Sequence, residues 1–178
     1  EVLTHAAVVA LTPQAVEQRC DVFLTHNWGT DGEGRRTHDR VRAINAHLKS
    51  RGLSTWFDEE RMQGKVIEKM CEGIDDSDAI VVFVTQHYID KVGGKYGPQD
   101  NCKREFEYAE RTKGADKFIP VVLEPSVRDT RNWRGGVGMV LGSRTYLDLS
   151  ASEGTAEWER GLQAAPYPVS PLPLSPSL

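Results

Sequence analysis

Residues Gln99–Arg111 read QDNCKREFEYAER, and they predict the helix around which the rest of the chain is arranged. Asp100 or Asn101 supplies a short side-chain oxygen that can accept a free backbone N–H at the helix start. Residues at i, i+3, i+4 and i+7 then share one face, namely Cys102, Glu105, Phe106 and Ala109. A carboxylate on an inward face needs a partner or a task, although Glu105 in the first turn can also simply complement the helix dipole.

Composition limits the classes of protein to which the chain can belong. Its 178 residues suit one domain with flanking segments, and its net charge of −4 argues against nucleic-acid binding through a general positive field. The three cysteines form no CxxC pair, which favours neither a zinc site nor a disulfide framework and fits a reducing, cytoplasmic compartment. No apolar run approaches the roughly 20 residues of a membrane span. Because the chain begins with Glu1 rather than Met, we expect it to be a fragment of a longer protein.

Short apolar runs alternate with helical patterns, which predicts an α/β fold. The expected architecture is a flavodoxin-like five-stranded parallel sheet with strand order 2-1-3-4-5 and helices on both faces. We expect the strands at 20–26, 53–58, 79–85, 118–123 and 144–149, and further helices at 38–51, 67–74 and 152–162. Residues 87–101 are predicted to form a loop, and residues 129–142 an irregular segment.

The chain divides into three predicted parts. Residues 1–19 are expected to be a linker or accessory helix, residues 20–163 the folded domain, and residues 164–178 a disordered tail rich in Pro and Ser. Within the domain, the glycine-rich stretch 29–36 lacks the GK[ST] ending of a phosphate-binding P-loop. We interpret it as a loop, whose Arg35 and Arg36 could meet a phosphate or simply be solvated.

Ligands of such sheets bind beyond the carboxyl ends of the strands, where the strand order reverses. The predicted fold brings three distant segments to that edge: 26–28 after the first strand, 85–88 after the third, and Glu105 in the following helix. A polar loop, an aromatic side chain and an inward carboxylate therefore meet at the expected crevice, which favours a functional interpretation of Glu105.

Several short boxes occur in order along the chain: DVFLTH at 21–26, WFD at 56–58 with MQGK at 62–65, Gly73-Ile74 with Ser77, NCKREF at 101–106 and IPVV at 119–122. Over roughly residues 20–162 they resemble the Toll/interleukin-1 receptor (TIR) domain family. The segment 57–65 is most similar to the NAD-cleaving branches of that family. Other TIR domains are assembly modules of receptors and adaptors, so the resemblance leaves two kinds of function open.

The resemblance implies that Glu105 is the catalytic residue, because the glutamate of this helix has that role in the NAD-cleaving branches. The residues expected to contact NAD(+) around it are His26, Asn27, Trp28, Asp58, Lys65, Ser77 and Cys102. Trp28 could stack on a base or only pack, Asn27 could bind a ribose or only form a turn, and Cys102 could be a buried small residue or a reactive thiol. NAD(+) is the expected substrate, and neither a further cofactor nor a metal is implied.

The expected function is therefore that of an NAD(+) glycohydrolase, which releases nicotinamide and gives ADP-ribose, a cyclic ADP-ribose or both. Self-association with other TIR domains in immune or cell-death signalling would activate it. The alternative is a non-catalytic interaction module that assembles through its BB loop. A phospho-accepting receiver domain would need acidic residues after the first strand and an aspartate at the end of the third. The chain instead has His26-Asn27 and Thr85-Gln86 at those positions.

Overall fold

A computed structural model describes residues 19–57 and 66–164, and its centre is a single parallel sheet. The strands are β1 (Cys20–Thr25), β2 (Thr55–Trp56), β3 (Ser77–Val84), β4 (Phe118–Val122) and β5 (Leu147–Asp148). All neighbouring strands run parallel, and their order is β2-β1-β3-β4-β5. The predicted fold class and strand order are confirmed, while β2 and β5 are shorter than expected because only two residues of each join the ladder.

Six α-helices occur in the described residues: α1 (Thr37–Ser50), α2 (Val66–Asp75), α3 (Gln86–Val92), α4 (Asn101–Lys113), α5 (Gly135–Leu141) and α6 (Ala156–Ala164). Two sequence predictions were wrong. Helix α3 lies where a loop was predicted, and helix α5 lies in the segment predicted to be irregular. The Thr85 side chain caps α3 by accepting the Tyr88 N–H at 3.0 Å. The glycines that suggested a loop begin only at Gly93, beyond the end of α3.

Side chains from the two faces of the sheet form two apolar layers. One layer packs Phe23, Val82 and their neighbours against α2, α3, α4 and α5. The other packs Leu24, Phe83 and their neighbours against α1 and α6. Strand β3 contributes to both layers, as expected for a nearly continuous apolar run at the centre of a parallel sheet. This arrangement leaves the loops at the carboxyl edge of the sheet as the place where polar side chains gather.

The predicted division of the chain stays a prediction, because residues 1–18 and 165–178 lie outside the part that the structure describes. Within the described part, no helix has both the length and the apolar character needed to cross a bilayer.

Candidate active site

Glu105 lies in the second turn of α4, at the edge of the face that packs on the sheet. Asp100 caps the helix by accepting the Cys102 N–H at 2.9 Å. Of the two residues expected to cap the helix, Asp100 is therefore the N-cap. Cys102, Phe106 and Ala109 are buried, as their spacing predicted. Glu105 is only partly buried, and its carboxylate therefore reaches the carboxyl edge of the sheet while its neighbours enter the core.

The carboxylate of Glu105 is held by the last residue of β1. The Thr25 hydroxyl donates to Glu105 Oε2 at 2.6 Å. Thr25 Oγ1 in turn lies 3.1 Å from the hydroxyl oxygen of Tyr88 in α3, and both of these side chains are buried. Burial raises the pKa of the Tyr88 hydroxyl well above its ordinary value, with the charges of neighbouring groups adding to the effect. Tyr88 therefore keeps its proton.

A small cleft opens beside Glu105 at this edge of the sheet. Its volume is about 40 Å³, and its lining comprises Leu24, His26, Trp28, Trp56, Asn101, Cys102 and Glu105. Sites that enclose a drug-sized ligand have volumes of roughly 300–1,000 Å³. The cleft as it stands can therefore accept only a small part of a dinucleotide.

One wall of the cleft is built from stacked rings. His26 Nε2 lies 2.8 Å from His38 Nδ1, so the two buried histidines share a hydrogen bond. Trp28 stacks on the His38 ring at a centroid distance of 3.9 Å, and Phe57 also stacks on His38, at 5.0 Å. Trp28 nevertheless remains 53% exposed, which suits a ring that could also stack on a ligand.

Asn27 has a different position from its two neighbours. It is fully buried, and its Oδ1 accepts the Thr85 hydroxyl at 2.6 Å, which ties the end of β1 to the cap of α3. Its Nδ2 lies 3.5 Å from Thr37 Oγ1 and from His87 Nδ1. The expectation that Asn27 binds a ribose or phosphate is corrected, because its amide is engaged in the interior rather than directed into the cleft.

Ser77 is not at this edge of the sheet. It is the first residue of β3 and is completely buried, at the opposite end of the strand from Thr85. Its hydroxyl donates to the Gly73 carbonyl at 2.7 Å, which satisfies a backbone group near the end of α2. Ser77 is therefore corrected from a candidate NAD(+) contact to a residue that joins α2 to β3. Asp58 and Lys65 lie outside the described residues, so their expected contacts stay predictions.

The Cys102 thiol is buried beneath the cleft, and it donates to the His26 carbonyl at 3.4 Å. Burial raises the pKa of this thiol, and the negative charges of Glu105 and Asp100 raise it further. A position at a helix N-terminus can lower a thiol pKa, but here burial and the two carboxylates outweigh that effect. Of the two interpretations of Cys102, the buried small residue is the one that fits.

The glycine-rich loop after β1 is held in place by two of its own side chains, Asp31 and Arg35, and by Glu124 after β4. Arg35 donates to Asp31 at 2.8 Å and to the carbonyl oxygens of Leu123 and Ser150 at 2.9 Å. The Glu124 carboxylate accepts the backbone N–H of Gly32 at 2.5 Å and that of Gln86 at 2.7 Å. The guanidinium of Arg35 therefore fixes the loop against the strand ends and is not offered to a phosphate.

Sequence reasoning missed three contributors to the site, namely the Thr25 hydroxyl, the Tyr88 hydroxyl and His38. The segment containing Tyr88 was expected at this edge, but nothing in the spacing of the chain indicates which side chain points inward. Across residues 19–57 and 66–164, no group of three His, Cys, Asp or Glu side chains has the geometry to hold a metal ion. The described site is thus a single carboxylate beside aromatic rings.

The sequence matches the family model described as TIR domain over residues 22–164. The chain belongs to the TIR domain family. Among solved structures it is similar to the TIR domains in the structure of the activated Roq1 resistosome directly recognizing the pathogen effector XopQ, with a TM-score of 0.53. The alignment covers 81% of this chain and 95% of that chain at 18% identity, so it supports the fold alone. No curated protein matches the chain.

The boxes shared with TIR domains now have physical explanations in this chain. The first box places Thr25 and His26 beside the cleft, and the helix box supplies Glu105. The Gly73 box is structural, because a Cβ on Gly73 would lie 2.4 Å from the Trp56 ring. Glycine at this position lets α2 approach β2 closely, so only some of the boxes belong to the candidate site.

Proposed function

We propose that this TIR domain is an NAD(+) glycohydrolase and that Glu105 is its catalytic residue. The observation that carries the proposal is the position of the Glu105 carboxylate. It lines the cleft at the carboxyl edge of the sheet, where the order reverses between β1 and β3, and the Thr25 hydroxyl donates to it at 2.6 Å. Ligands of open α/β sheets bind at such a point.

The reaction needs one carboxylate rather than the usual pair. Nicotinamide in NAD(+) is already a cationic leaving group, so the bond from ribose C1′ to the ring nitrogen breaks with its electron pair on nicotinamide and without a general acid. Glu105 would stabilise the oxocarbenium charge that develops on the ribose. Water then adds to C1′ and releases a proton, which gives ADP-ribose. Attack by a nitrogen of the adenine of the same molecule would give a cyclic ADP-ribose instead.

The other cleft residues would bind and orient the dinucleotide. Trp28 offers an exposed aromatic ring for stacking, and His26 lines the same cleft as Glu105. Because the cleft volume is only about 40 Å³, NAD(+) must widen it, and self-association with other TIR domains is the proposed trigger. NAD(+) is the substrate in this proposal and no further cofactor takes part. The setting would be immune or cell-death signalling in the cytoplasm.

The small cleft also favours a second candidate, a non-catalytic module that only assembles. A larger groove of about 260 Å³ lies between α2 and α4. Its lining includes the apolar Ile67, Met70 and Ile74, together with the charged side chains of Arg104, Glu105, Glu107 and Arg111. The apolar side chains that line this groove suit a contact with another protein. The BB-loop segment 58–65, through which this module was expected to assemble, lies outside the described residues.

The experiment that separates the two candidates is nicotinamide release from NAD(+) at high protein concentration, with product analysis by chromatography. Glu105→Gln keeps the size of the side chain and removes its charge, and we expect it to abolish release. Glu110→Gln is the matched control, since Glu110 is exposed on the same helix, and it should retain native activity. No release by the native chain even when assembled would exclude the enzyme, and equal activity of Glu105→Gln would exclude the assigned role.

A further inference from the structure

The end of β1 carries a polar side chain at a position where an apolar one would fit the core equally well. Thr25 is 1% exposed and Tyr88 is 0% exposed. A buried hydroxyl costs free energy unless it is hydrogen-bonded, and valine would fill the space of Thr25 without that cost. The hydroxyl of Thr25 lies between the Tyr88 hydroxyl at 3.1 Å and Glu105 Oε2 at 2.6 Å.

We propose that Thr25 and Tyr88 are positioning residues for Glu105, forming a buried hydroxyl relay that fixes one carboxylate oxygen and stabilises the ionised carboxylate. The role of that carboxylate in catalysis rests on the function proposed above. The relay itself can be tested even if the protein has no catalytic activity.

The direction of the relay follows from the number of protons available. A threonine hydroxyl has one hydrogen and two acceptor lone pairs, and an ionised carboxylate can only accept. Since Thr25 donates its hydrogen to Glu105, the contact between Tyr88 and Thr25 must use the Tyr88 hydrogen. Each hydroxyl then donates toward the carboxylate, and hydrogen bonds arranged in series strengthen one another.

The relay acts on one oxygen of a carboxylate that also has other titratable neighbours. Among residues 19–57 and 66–164 these come from the end of β1, from α2, from α3 and from its own helix. They include His26, Cys71, Tyr88, Asp100, Cys102 and Arg104, with Glu107, Tyr108 and Arg111 lining the same groove. A variant that removes only the Thr25 hydroxyl leaves all of them in place. A change in the titration of Glu105 in that variant therefore measures the relay and not the surrounding charges.

The test is a titration of Glu105 by NMR in a chain labelled with ¹³C-glutamate, with the resonance assigned from its loss in Glu105→Gln. A hydrogen bond donated to the charged form lowers a carboxyl pKa, so Thr25→Val should move the Glu105 midpoint upward by about one pH unit. Thr25→Ser keeps the hydroxyl and should restore the native midpoint. Tyr88→Phe removes a single oxygen and should shift the midpoint upward by less.

Thr55→Val is the matched control, because Thr55 is also a buried strand threonine and its hydroxyl donates at 2.6 Å, but to Asn45. It should leave the Glu105 midpoint unchanged. Circular dichroism establishes which variants fold. If Thr25→Val does not fold, the same titration is made on Thr25→Ala and Tyr88→Phe. The relay is overturned if these hydroxyl-deleting variants leave the midpoint unmoved, if Thr55→Val shifts it equally, or if Thr25→Ser fails to restore it.

Nicotinamide release by the same variants separates the two proposals. We expect Thr25→Val to lower the rate about tenfold, equivalent to roughly 1.4 kcal/mol, and to move the acidic limb of the pH profile upward, with Thr25→Ser restoring both. If the native chain releases no nicotinamide, the glycohydrolase proposal fails, and the titration still tests the relay. If the native chain is active and Thr25→Val changes neither the rate nor the titration, the relay fails and the enzyme stands.

Discussion

The side chains that follow β1 have different roles although they are adjacent in sequence. His26 and Trp28 line the cleft, whereas Asn27 between them accepts the Thr85 hydroxyl in the interior. We expect Asn27→Ala to lower the free energy of unfolding by about 1–3 kcal/mol, because it leaves the buried Thr85 hydroxyl without this acceptor. Urea denaturation measures the change. Asn132→Ala, at an exposed position, should stay within about 0.5 kcal/mol of the native chain, and an equally small effect of Asn27→Ala would contradict the interior role.

Cys102 gives a second prediction at the scale of the residue. The thiolate is the nucleophilic form of cysteine, and burial together with Glu105 and Asp100 raises the pKa of Cys102. At pH 8 the folded chain should therefore react with iodoacetamide more slowly at Cys102 than at the partly exposed Cys71. Mass spectrometry of the tryptic peptides measures both rates, and in 8 M urea the difference should disappear. Equally fast modification of the two cysteines in the folded chain would show that the Cys102 thiol is accessible and reactive.

At the scale of the element, the contact between α2 and β2 depends on a missing side chain. A Cβ at position 73 would lie 2.4 Å from the Trp56 ring, and Trp56 itself stacks on Phe23 at a centroid distance of 4.4 Å. Replacing glycine by alanine within a helix normally stabilises it by about 1 kcal/mol. Overpacking costs about 1–3 kcal/mol, and the stacked rings leave Trp56 little room to move. We expect Gly73→Ala to lower the free energy of unfolding by about 1–2 kcal/mol.

Thermal or urea unfolding measures this change, and Glu72→Ala is the control at the neighbouring exposed position of α2. The control should be neutral within about 0.5 kcal/mol. A stabilised Gly73→Ala chain would mean that helix propensity dominates and that α2 can shift away from β2.

The sequence predicts the helices and strands whose residue pattern is visible within one segment. It misses those that are stabilised mainly by packing against other parts of the fold. The run at 79–85 identified β3 because a central strand is apolar on both faces. Helix α5 contains Gly135, Gly136 and Gly138, and its burial of Val137 and Leu141 against the core outweighs that low helix propensity.

The candidate site divides in the same way. Glu105 was identified because it is a carboxylate on the helix face where the spacing otherwise predicts buried residues. The hydroxyls of Thr25 and Tyr88 were not, because they contact residues 80 and 63 positions away respectively in the chain. Only the folded sheet brings such groups together, and spacing along one segment cannot indicate their orientation. The same reason explains why Asn27 and Ser77 were expected at the cleft although their side chains serve contacts elsewhere.

At the scale of the whole molecule, the cleft and the proposed substrate differ in size. The volume of about 40 Å³ beside Glu105 is far below what a dinucleotide needs. A site that is seldom open binds its ligand with an affinity reduced by the open fraction, and a contact that favours the open form restores that affinity. If self-association supplies this contact, the activity of each chain must depend on how many copies surround it.

We therefore expect nicotinamide release per chain to rise with protein concentration, over the range in which analytical ultracentrifugation detects assembly. The sharper measurement adds an excess of the Glu105→Gln chain to a dilute native chain. The added copies lack the catalytic carboxylate but keep their surfaces, so they should increase the rate per native chain at least several-fold. A Glu105→Gln chain that also carries a charge at the groove between α2 and α4, as Ile67→Asp, tests whether that groove forms the contact. Ile67 lines the groove and is 51% exposed, so the substitution changes the surface and leaves the core intact, and this chain should not increase the rate if the groove is the contact. A constant rate per native chain in the presence of excess Glu105→Gln would show that each cleft opens by itself, and that assembly serves some purpose other than activating Glu105.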